Sequence, residues 1–325
     1  MKGVNILRDD IMVSIRCLCY NHEKYLRRSL DGIVNQKTNF RFEAIIHDDA
    51  STDNSQAIIK EYAEKYPEII IPILQKENQY SKDPHISQYI IRPIVRGKYC
   101  AICECDDYWT DLNKLQQQVD FLEKHSEYSI CGHAYDVVEE NEHIVNHKIR
   151  ENKQNHDISL NDIIMNYDLP QTATLVYRTD KWMKMPDFFS KCMVGDYPLM
   201  LYMGTCGKMF YINKNMSCYR LHDKGSWVSE TRKNPIEFRT HVDLLINMLV
   251  EYNKYTFNKY KNIVDLRISQ CDYIALLLEE KITEIKHNKY FLTLPFKERA
   301  AVISKLKYPK AASFFKRVIK PGDKK

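Results

Sequence analysis

The first hundred residues alternate short apolar runs with segments whose apolar residues recur at helical spacing. After the first run, Leu26, Leu30 and Ile33 keep the period of an amphipathic helix, and a second such segment follows residue 53. Strand, turn and helix repeated with short connections predict right-handed βαβ units, which build an α/β fold with a mostly parallel sheet and flanking helices. The apolar runs that predict the strands are residues 12–18, 42–47, 68–74 and 99–103.

Polar side chains follow three of these strands at the point where each strand ends. Open α/β sheets bind their ligands at the carboxyl edge of the strands, so we expect one shared site there. Carboxylates crowded at such an edge repel one another unless a cation lies between them, and Mg²⁺ or Mn²⁺ serves when a phosphate completes its coordination. An acidic turn that only caps the next helix is the alternative interpretation. The residues concerned are Cys19, Tyr20, Asn21, Glu23, Asp48, Asp49, Glu104, Asp106 and Asp107.

Three segments resemble the successive signatures of family-2 glycosyltransferases. They are YNHEKYL at residues 20–26, DDASTD at 48–53 and ECDDYW at 104–109. Each motif alone is weak, but three in this order and spacing are specific, and the resemblance extends to about residue 227. It implies a nucleotide-sugar-dependent enzyme of the GT-A fold, with a Rossmann-like mixed sheet.

The resemblance also implies a domain organisation and a nucleotide site. We expect a nucleotide-sugar-binding half at residues 1–110, an acceptor-binding half at 111–228 and a helical C-terminal extension at 229–325. Either Asp48 or Asp49 would hydrogen-bond the base or the ribose, and the resemblance does not decide between them. The residues that would flank the nucleobase are Cys19, Tyr20, Asn21 and Glu23.

The Asp-x-Asp metal motif of the family reads Glu104-Cys105-Asp106 in this chain. By resemblance, Asp106 would contact Mn²⁺ or Mg²⁺. Glu104 is one methylene longer and would reach the sugar, or reach the ion through water. Asp107 would hold sugar hydroxyls or only cap the next helix, and both interpretations stay open.

The second half of the chain holds a further carboxylate and a basic segment. Asp196 lies just before a run with helical spacing, and by resemblance it would be the general base that takes the proton of the acceptor, a contribution of roughly 10²–10⁴-fold. An N-cap role for Asp196 is the alternative, and both can hold at once. The resemblance implies His222 as a further metal or pyrophosphate ligand, although a structural histidine is as good an interpretation, and Arg220 and Lys224 as partners of phosphate oxygens. Residues 169–178 predict a strand beside the acceptor pocket.

Composition favours a cytoplasmic enzyme. Residues 1–11 lack the apolar core of a secretory signal, and no apolar run approaches the roughly 18 residues needed to span a bilayer. The ten cysteines are scattered along the chain, so we expect reduced thiols rather than a disulfide framework.

Charge is concentrated at the C-terminal end. Residues 281–325 contain 13 Lys or Arg against 3 Asp or Glu, whereas the whole chain has a net charge of only +5. Phe314 and Phe315 interleave with basic residues, a pattern that suits peripheral contact with an anionic membrane at the inner face of the plasma membrane. A solvated tail is the alternative. Nucleic acid is not an expected partner, because the half that carries the site is acidic and no nucleic-acid module is visible.

The sequence therefore predicts an inverting, metal-assisted glycosyltransferase of the hexosyl or N-acetylhexosaminyl class, of the bacterial surface-polysaccharide type. Its donor would be a UDP-sugar and its acceptor a hydroxyl of a glycan or lipid-linked glycan. A sugar nucleotidyltransferase is one alternative, but it should carry a Gly-rich loop after the first strand, and residues 19–24 contain no glycine. A catalytically silent nucleotide-binding module is another, and the retention of Asp106 and Asp196 argues against it.

Overall fold

The computed structural model describes residues 11–83, 87–148, 154–221 and 234–307. The chain divides into two units, residues 1–226 and residues 227–325. The first unit carries the sheet, and the second is built of helices in the part described.

Ten strands of the described residues form one mixed sheet. They are β1 (Ile11–Cys19), β2 (Arg41–Asp48), β3 (Ile70–Leu74), β4 (Tyr99–Ile102), β5 (Tyr108–Trp109), β6 (Tyr128–Val138), β7 (Ile144–His147), β8 (His156–Ile158), β9 (Val176–Arg178) and β10 (Lys208–Arg220). Their order is β3-β2-β1-β4-β9-β6-β10-β5, with β7 beside β6 and β8 beside β10. The four strands from β3 to β4 are parallel, whereas β9 runs antiparallel to both of its neighbours.

Helices cover the sheet because their apolar residues recur at helical spacing. Leu26, Leu30 and Ile33 are fully buried and share one core with Val13 and Ile15 of β1. The predicted α/β class, with a mostly parallel central sheet and flanking helices, is confirmed. The helices of the first unit are α1 (Glu23–Val34), α2 (Ser55–Lys65), α3 (Lys114–Lys124), α4 (Leu160–Met165), α5 (Thr179–Trp182) and α6 (Asp196–Cys206).

One predicted strand is shorter than expected. Residues 169–178 contain a 3₁₀ turn, Thr172–Thr174, followed by the three-residue strand β9. The side chain of Gln171 accepts a hydrogen bond from the backbone N–H of Ala173 at 2.7 Å, which holds the turn. The local hydrogen bond competes with strand pairing, and strand pairing begins only at Val176.

The second unit starts from a capped helix. The side chain of Asn234 accepts hydrogen bonds from the first backbone N–H groups, and Pro235 occupies the first helical position. Ile285 and Phe291 pack with residues of the preceding helix in a small separate core. The helices are α7 (Pro235–Tyr255), α8 (Lys261–Leu278), α9 (Ile282–His287), α10 (Lys289–Thr293) and α11 (Phe296–Lys307).

The basic C-terminal segment is therefore folded in part. Residues 282–307 contribute α9 to α11, while Phe314 and Phe315 lie outside the described residues. Over the described ranges, no helix has both the length and the apolar character needed to cross a membrane.

Candidate active site

The three polar turns lie along one edge of the sheet. Cys19 pairs with Asp48 at the ends of β1 and β2, and Arg16 pairs with Ile102 at the end of β4. Because these strands are parallel, the turns that follow them leave the sheet side by side. The edge that the sequence predicted as a shared site is thus assembled from β1, β2 and β4.

The turns after β1 and β2 hold each other through side-chain to backbone hydrogen bonds. The Asn21 side chain accepts from the backbone N–H of Thr52 at 2.8 Å, and the Asn21 N–H donates to the Ser51 hydroxyl at 2.9 Å. Glu23 accepts from the N–H of Asn54 at 2.9 Å. Asn21 has a φ of 56°, a left-handed conformation that Asn tolerates better than most residues. Asn21 and Glu23 therefore fix the shape of this edge, and direct contact of either with a nucleotide stays a prediction.

Both aspartates of the DDASTD segment are buried and hydrogen-bonded within the protein. Asp48 accepts from the side chain of Gln56 at 2.7 Å and from the N–H of Ser51 at 3.0 Å. Asp49 accepts from the backbone N–H groups of residues 79–80 at 2.7 and 2.9 Å. Asp49 thus anchors the loop after β3. Contact of either carboxylate with a base or ribose stays a prediction.

Tyr20 and Cys19 face in different directions although they are adjacent. The Tyr20 side chain is 47% exposed directly after β1, so part of it is accessible to solvent. Cys19 is buried, and a hydrogen bond with Cys105 together with burial raises the pKa of its thiol. The structure therefore places the thiol of Cys19 in the core and leaves only its backbone at the nucleotide side.

Four carboxylates converge after β4 and at the start of α6. Burial, with the nearby charge of Asp106, raises the pKa of Glu104 to about 7. The charge of Asp196, far along the chain, contributes to the same rise. Burial and Asp106 also raise the pKa of Asp107 well above its usual range. Ionisation of all the carboxyl groups at this edge is therefore unfavourable.

Asp107 is held from two sides. Its carboxylate accepts from the Gln171 side chain at 2.8 Å and from the backbone N–H of Arg220 at 2.9 Å. The cap interpretation of Asp107 is wrong, because α3 begins only at Lys114 and neither oxygen of Asp107 bonds to its N-terminus. Gln171 and Arg220 instead join the metal-motif turn to the second half of the unit.

The guanidinium of Arg220 is directed inward. Its Nε donates to the carbonyl of Asp106 at 3.0 Å, and Nη1 donates to the carbonyls of residues 139–140 at 3.2 and 3.3 Å. Its central carbon also lies 4.4 Å from the ring centroid of Tyr25. The side chain is buried. This placement favours a positioning role for Arg220 on the backbone of Asp106, and its pairing with phosphate stays a prediction.

Asp196 is the first residue of α6. The N-cap position belongs to Gly195, so the N-cap interpretation of Asp196 is wrong. Its carboxylate accepts from the backbone N–H of Tyr197 at 2.7 Å, and burial raises its pKa. A carboxylate with a raised pKa is a better proton acceptor near neutral pH than an ordinary one.

A cavity of about 340 Å³ opens beside Asp196. This volume is at the lower end of the range for small-molecule sites. Gln171, which bonds Asp107, also lines the cavity, so the cavity reaches the carboxylate cluster. Further lining side chains offer hydroxyl, amide and charged groups: Tyr135, Lys148, Asn166, Asp168 and Tyr211.

Two residues of this site were missed in the sequence. Burial and the charges of Asp107, Asp106 and Asp196 raise the pKa of Tyr219. Gln171 was read only as part of a strand. No local motif marks either residue, because their contacts join elements far apart in the chain.

The carboxylates fit a metal that the donor helps to hold. Within the described ranges, no group of three or more His, Cys, Asp or Glu side chains is arranged to hold an ion by itself. Mg²⁺ and Mn²⁺ commonly bind through one or two carboxylates, with water and substrate phosphates completing the shell. Glu104, Asp106 and Asp107 repel one another, and such an ion would neutralise their negative charge. His222 and Lys224 lie outside the described residues.

Comparison with known proteins gives a family match. Residues 14–181 match the family model described as glycosyl transferase family 2. An uncharacterized protein of Mycobacterium tuberculosis is 36% identical over 217 residues, which cover 67% of this chain and 61% of the relative. The chain thus spans less than two thirds of that relative. An uncharacterized glycosyltransferase of Nostoc sp. is 25% identical over 224 residues, 67% of each protein.

Solved structures share the fold at low identity. Residues 1–349 of S. aureus TarS, in complex with UDP-GlcNAc, superpose with a TM-score of 0.60 at 16% identity, covering 94% of this chain and 89% of that one. A mannosyltransferase from Pyrobaculum calidifontis, in complex with GDP-Man and Mn²⁺, superposes with a TM-score of 0.50 at 12% identity, covering 95% and 88%. These similarities establish the GT-A type of fold.

Proposed function

Because the chain belongs to glycosyl transferase family 2, we propose that it transfers a sugar from a UDP-sugar to a hydroxyl of a glycan or lipid-linked glycan, with inversion. The observation that carries the proposal is the position of Gln171, which donates to Asp107 of the metal-motif turn at 2.8 Å and lines the same cavity as Asp196 at the start of α6. Groups from the two halves of the unit thus face one reaction centre.

The donor would lie along the carboxyl edge of β1, β2 and β4. Tyr20 offers an exposed ring for the base, and either Asp48 or Asp49 would contact the base or ribose. Asp106 would hold Mn²⁺ or Mg²⁺ against the diphosphate, and the ion would neutralise the charge that develops on the leaving nucleoside diphosphate. Support for a nucleotide-sugar comes from TarS, which binds UDP-GlcNAc, and for a divalent cation from the Pyrobaculum enzyme, which binds Mn²⁺.

The acceptor would occupy the cavity beside Asp196. Asp196 would take the proton from the acceptor hydroxyl as its oxygen bonds to the anomeric carbon, and the bond from that carbon to the phosphate oxygen would break. Attack from the face opposite the diphosphate inverts the anomeric carbon. The tyrosines, amides and carboxylates that line the cavity suit the hydroxyls of a sugar.

Two alternatives fit the site less well. A silent binding module has no need of Asp196 in a buried position with a raised pKa. A nucleotidyltransferase should carry a Gly-rich loop with a basic residue after the first strand, and residues 19–24 contain no glycine. The proposal also places the enzyme in the cytoplasm, with the basic C-terminal tail in contact with an anionic membrane surface.

The test combines a donor screen with a variant of the base. UDP- and GDP-sugars are screened for binding and turnover with Mn²⁺, Mg²⁺ or EDTA, and we expect a UDP-sugar with a metal to be preferred. Asp196→Asn should abolish transfer while donor binding stays near wild type, since Asn still accepts from Tyr197. Asp168→Asn, in the same cavity, is the matched control and should change KM more than kcat. Transfer by the Asp196 variant at a comparable rate would show that another group is the base.

A further inference from the structure

The loop between α7 and α8 presents an aromatic side chain to solvent. Phe257 is 93% exposed, the largest exposure among the large hydrophobic residues described. It has a φ of 51°, and the next residue, Asn258, has a φ of 59°. A bulky residue in the left-handed region is a conformational outlier.

The loop is firmly fixed by its backbone. The N–H of Phe257 donates to the carbonyl of Lys254 at 3.0 Å, and the N–H of Asn258 donates to the carbonyl of Asn253 at 2.7 Å. These two bonds form a Schellman motif, and Phe257 occupies the position at which helices usually carry glycine. The Schellman motif therefore fixes the backbone from which the exposed ring projects, at a position where glycine is usual.

Phe257 lowers the stability of the fold in two ways. Left-handed backbone is unfavourable for a non-glycine residue, and an exposed ring gains nothing from burial. Asn or Gly at this position would avoid both. A side chain that costs stability and gains almost no burial points to a role outside the fold.

Basic and aromatic residues surround the tip. Lys259 lies in the loop with its ammonium 5.2 Å from the ring centroid of Tyr260, and Lys254 and Lys261 stand at the ends of the two helices. Lys254 pairs with Glu251 at 2.7 Å and Lys261 with Asp265 at 2.8 Å, each one helical turn away from the loop. The tip itself thus combines apolar surface with positive charge.

We propose that residues 254–261, the aromatic tip, insert into the interface of an anionic membrane, with Phe257 among the lipid chains and the lysines at the headgroups. Amphipathic Tyr and Lys side chains suit the headgroup level, and anionic lipids attract cations there. A protein partner is disfavoured, because the tip has eight residues, whereas a stable interface needs roughly 20–30 residues on each side. The tip is distinct from the basic tail and does not depend on the proposed sugar transfer.

The experiment measures vesicle binding of the full-length protein. Vesicles of phosphatidylcholine, with and without one third phosphatidylglycerol, are sedimented with the wild type and with Phe257→Asn. We expect the wild type to prefer the anionic vesicles, and the variant to bind them about tenfold more weakly. Asn suits the left-handed conformation, so the melting temperature should rise by about 2 °C. Phe257→Trp should bind the anionic vesicles at the wild-type level or above.

Phe296→Asn is the matched control. Phe296 is 77% exposed at the start of α11. Phe257 lies just before α8, so α8, whose 18 residues span about 27 Å, separates the two positions along the chain. We expect this variant to bind vesicles like the wild type. Equal binding by the wild type and Phe257→Asn, or equal losses in the two Asn variants, would overturn the proposal, as would a change of oligomeric state in Phe257→Asn without a change in vesicle binding. Donor turnover, measured in parallel, reports separately on the sugar-transfer proposal.

Discussion

Glu104 makes the stability of the protein depend on pH in a way that can be measured. Its carboxylate is partly buried, accepts from the backbone N–H of Leu18 at 3.2 Å and lies near Asp106. Replacing it by Gln keeps the shape and a carbonyl oxygen for the Leu18 bond but removes the charge. The comparison of Glu104→Gln with the wild type therefore isolates the titration of one group.

The sign and size follow from the shifted pKa. The pKa rises from 4.5 to about 7, so the folded state binds the proton more tightly than the unfolded state. The stability that this proton gives is full below pH about 4.5 and is lost as pH rises through about 7. At about 1.4 kcal/mol for each pKa unit, the wild type should lose about 3 kcal/mol relative to Glu104→Gln between pH 4 and pH 8.

Urea unfolding of both proteins across this pH range, without metal, measures the difference directly. We expect the two curves of unfolding free energy to converge below pH about 4.5, to separate between pH about 4.5 and 7, and to run parallel above pH about 7. Mn²⁺ with UDP should narrow the gap, because a cation favours the ionised carboxyl. A difference between the two proteins that stays constant from pH 4 to pH 8 would refute the reasoning, since a constant offset reports packing and not charge.

Three further predictions concern the metal motif, its support and the tail. Asp106→Asn should reduce donor turnover by roughly 100-fold or more while the fold persists, and turnover by the wild type in EDTA equal to that in Mn²⁺ would contradict the metal role. Arg220→Lys should lower the free energy of unfolding by roughly 3 kcal/mol, because an ammonium cannot reproduce the planar contacts with several carbonyls; unchanged urea unfolding would contradict this. Truncation after Lys307 keeps the α9–α11 core but removes six Lys or Arg and one Asp. The truncated protein should bind anionic vesicles more weakly and keep its activity on a short acceptor. Equal vesicle binding by the truncated and full-length proteins at low salt would identify a solvated tail.

The sheet was predictable because its signals are local. A buried parallel strand needs a short apolar run, and the helix that covers it needs a 3.6-residue period, as at Leu26, Leu30 and Ile33. The register between β1 and β2 then brings the turn after each strand to the same edge. The place of the candidate site follows from the order of these elements alone.

The roles of individual polar residues were less predictable, because they depend on contacts across the fold. The sequence leaves Asp107 open between a contact with sugar hydroxyls and a helix cap, and its hydrogen-bond partner Gln171 is 64 positions away. By resemblance Arg220 would pair with phosphate, which stays a prediction, and its Nε donates to the carbonyl of Asp106, 114 positions away. A motif shows which residue types are present, and only the packed structure shows which of their hydrogen-bonding groups are already engaged.

The carboxylates of the site have two different physical roles. Asp48 accepts a hydrogen bond from Gln56 of α2, and Asp49 accepts one from the loop after β3, so both set the geometry of the edge. Glu104 and Asp107 have raised pKa values because burial and nearby like charges disfavour their ionised forms. A divalent cation would relieve that repulsion, and a diphosphate would complete its coordination. Each ligand would then favour the other by the same factor, because the coupling between two binding equilibria is reciprocal. On this reasoning, donor affinity should increase with Mn²⁺ by the factor by which Mn²⁺ affinity increases with donor, and Asp106→Asn should remove both increases together.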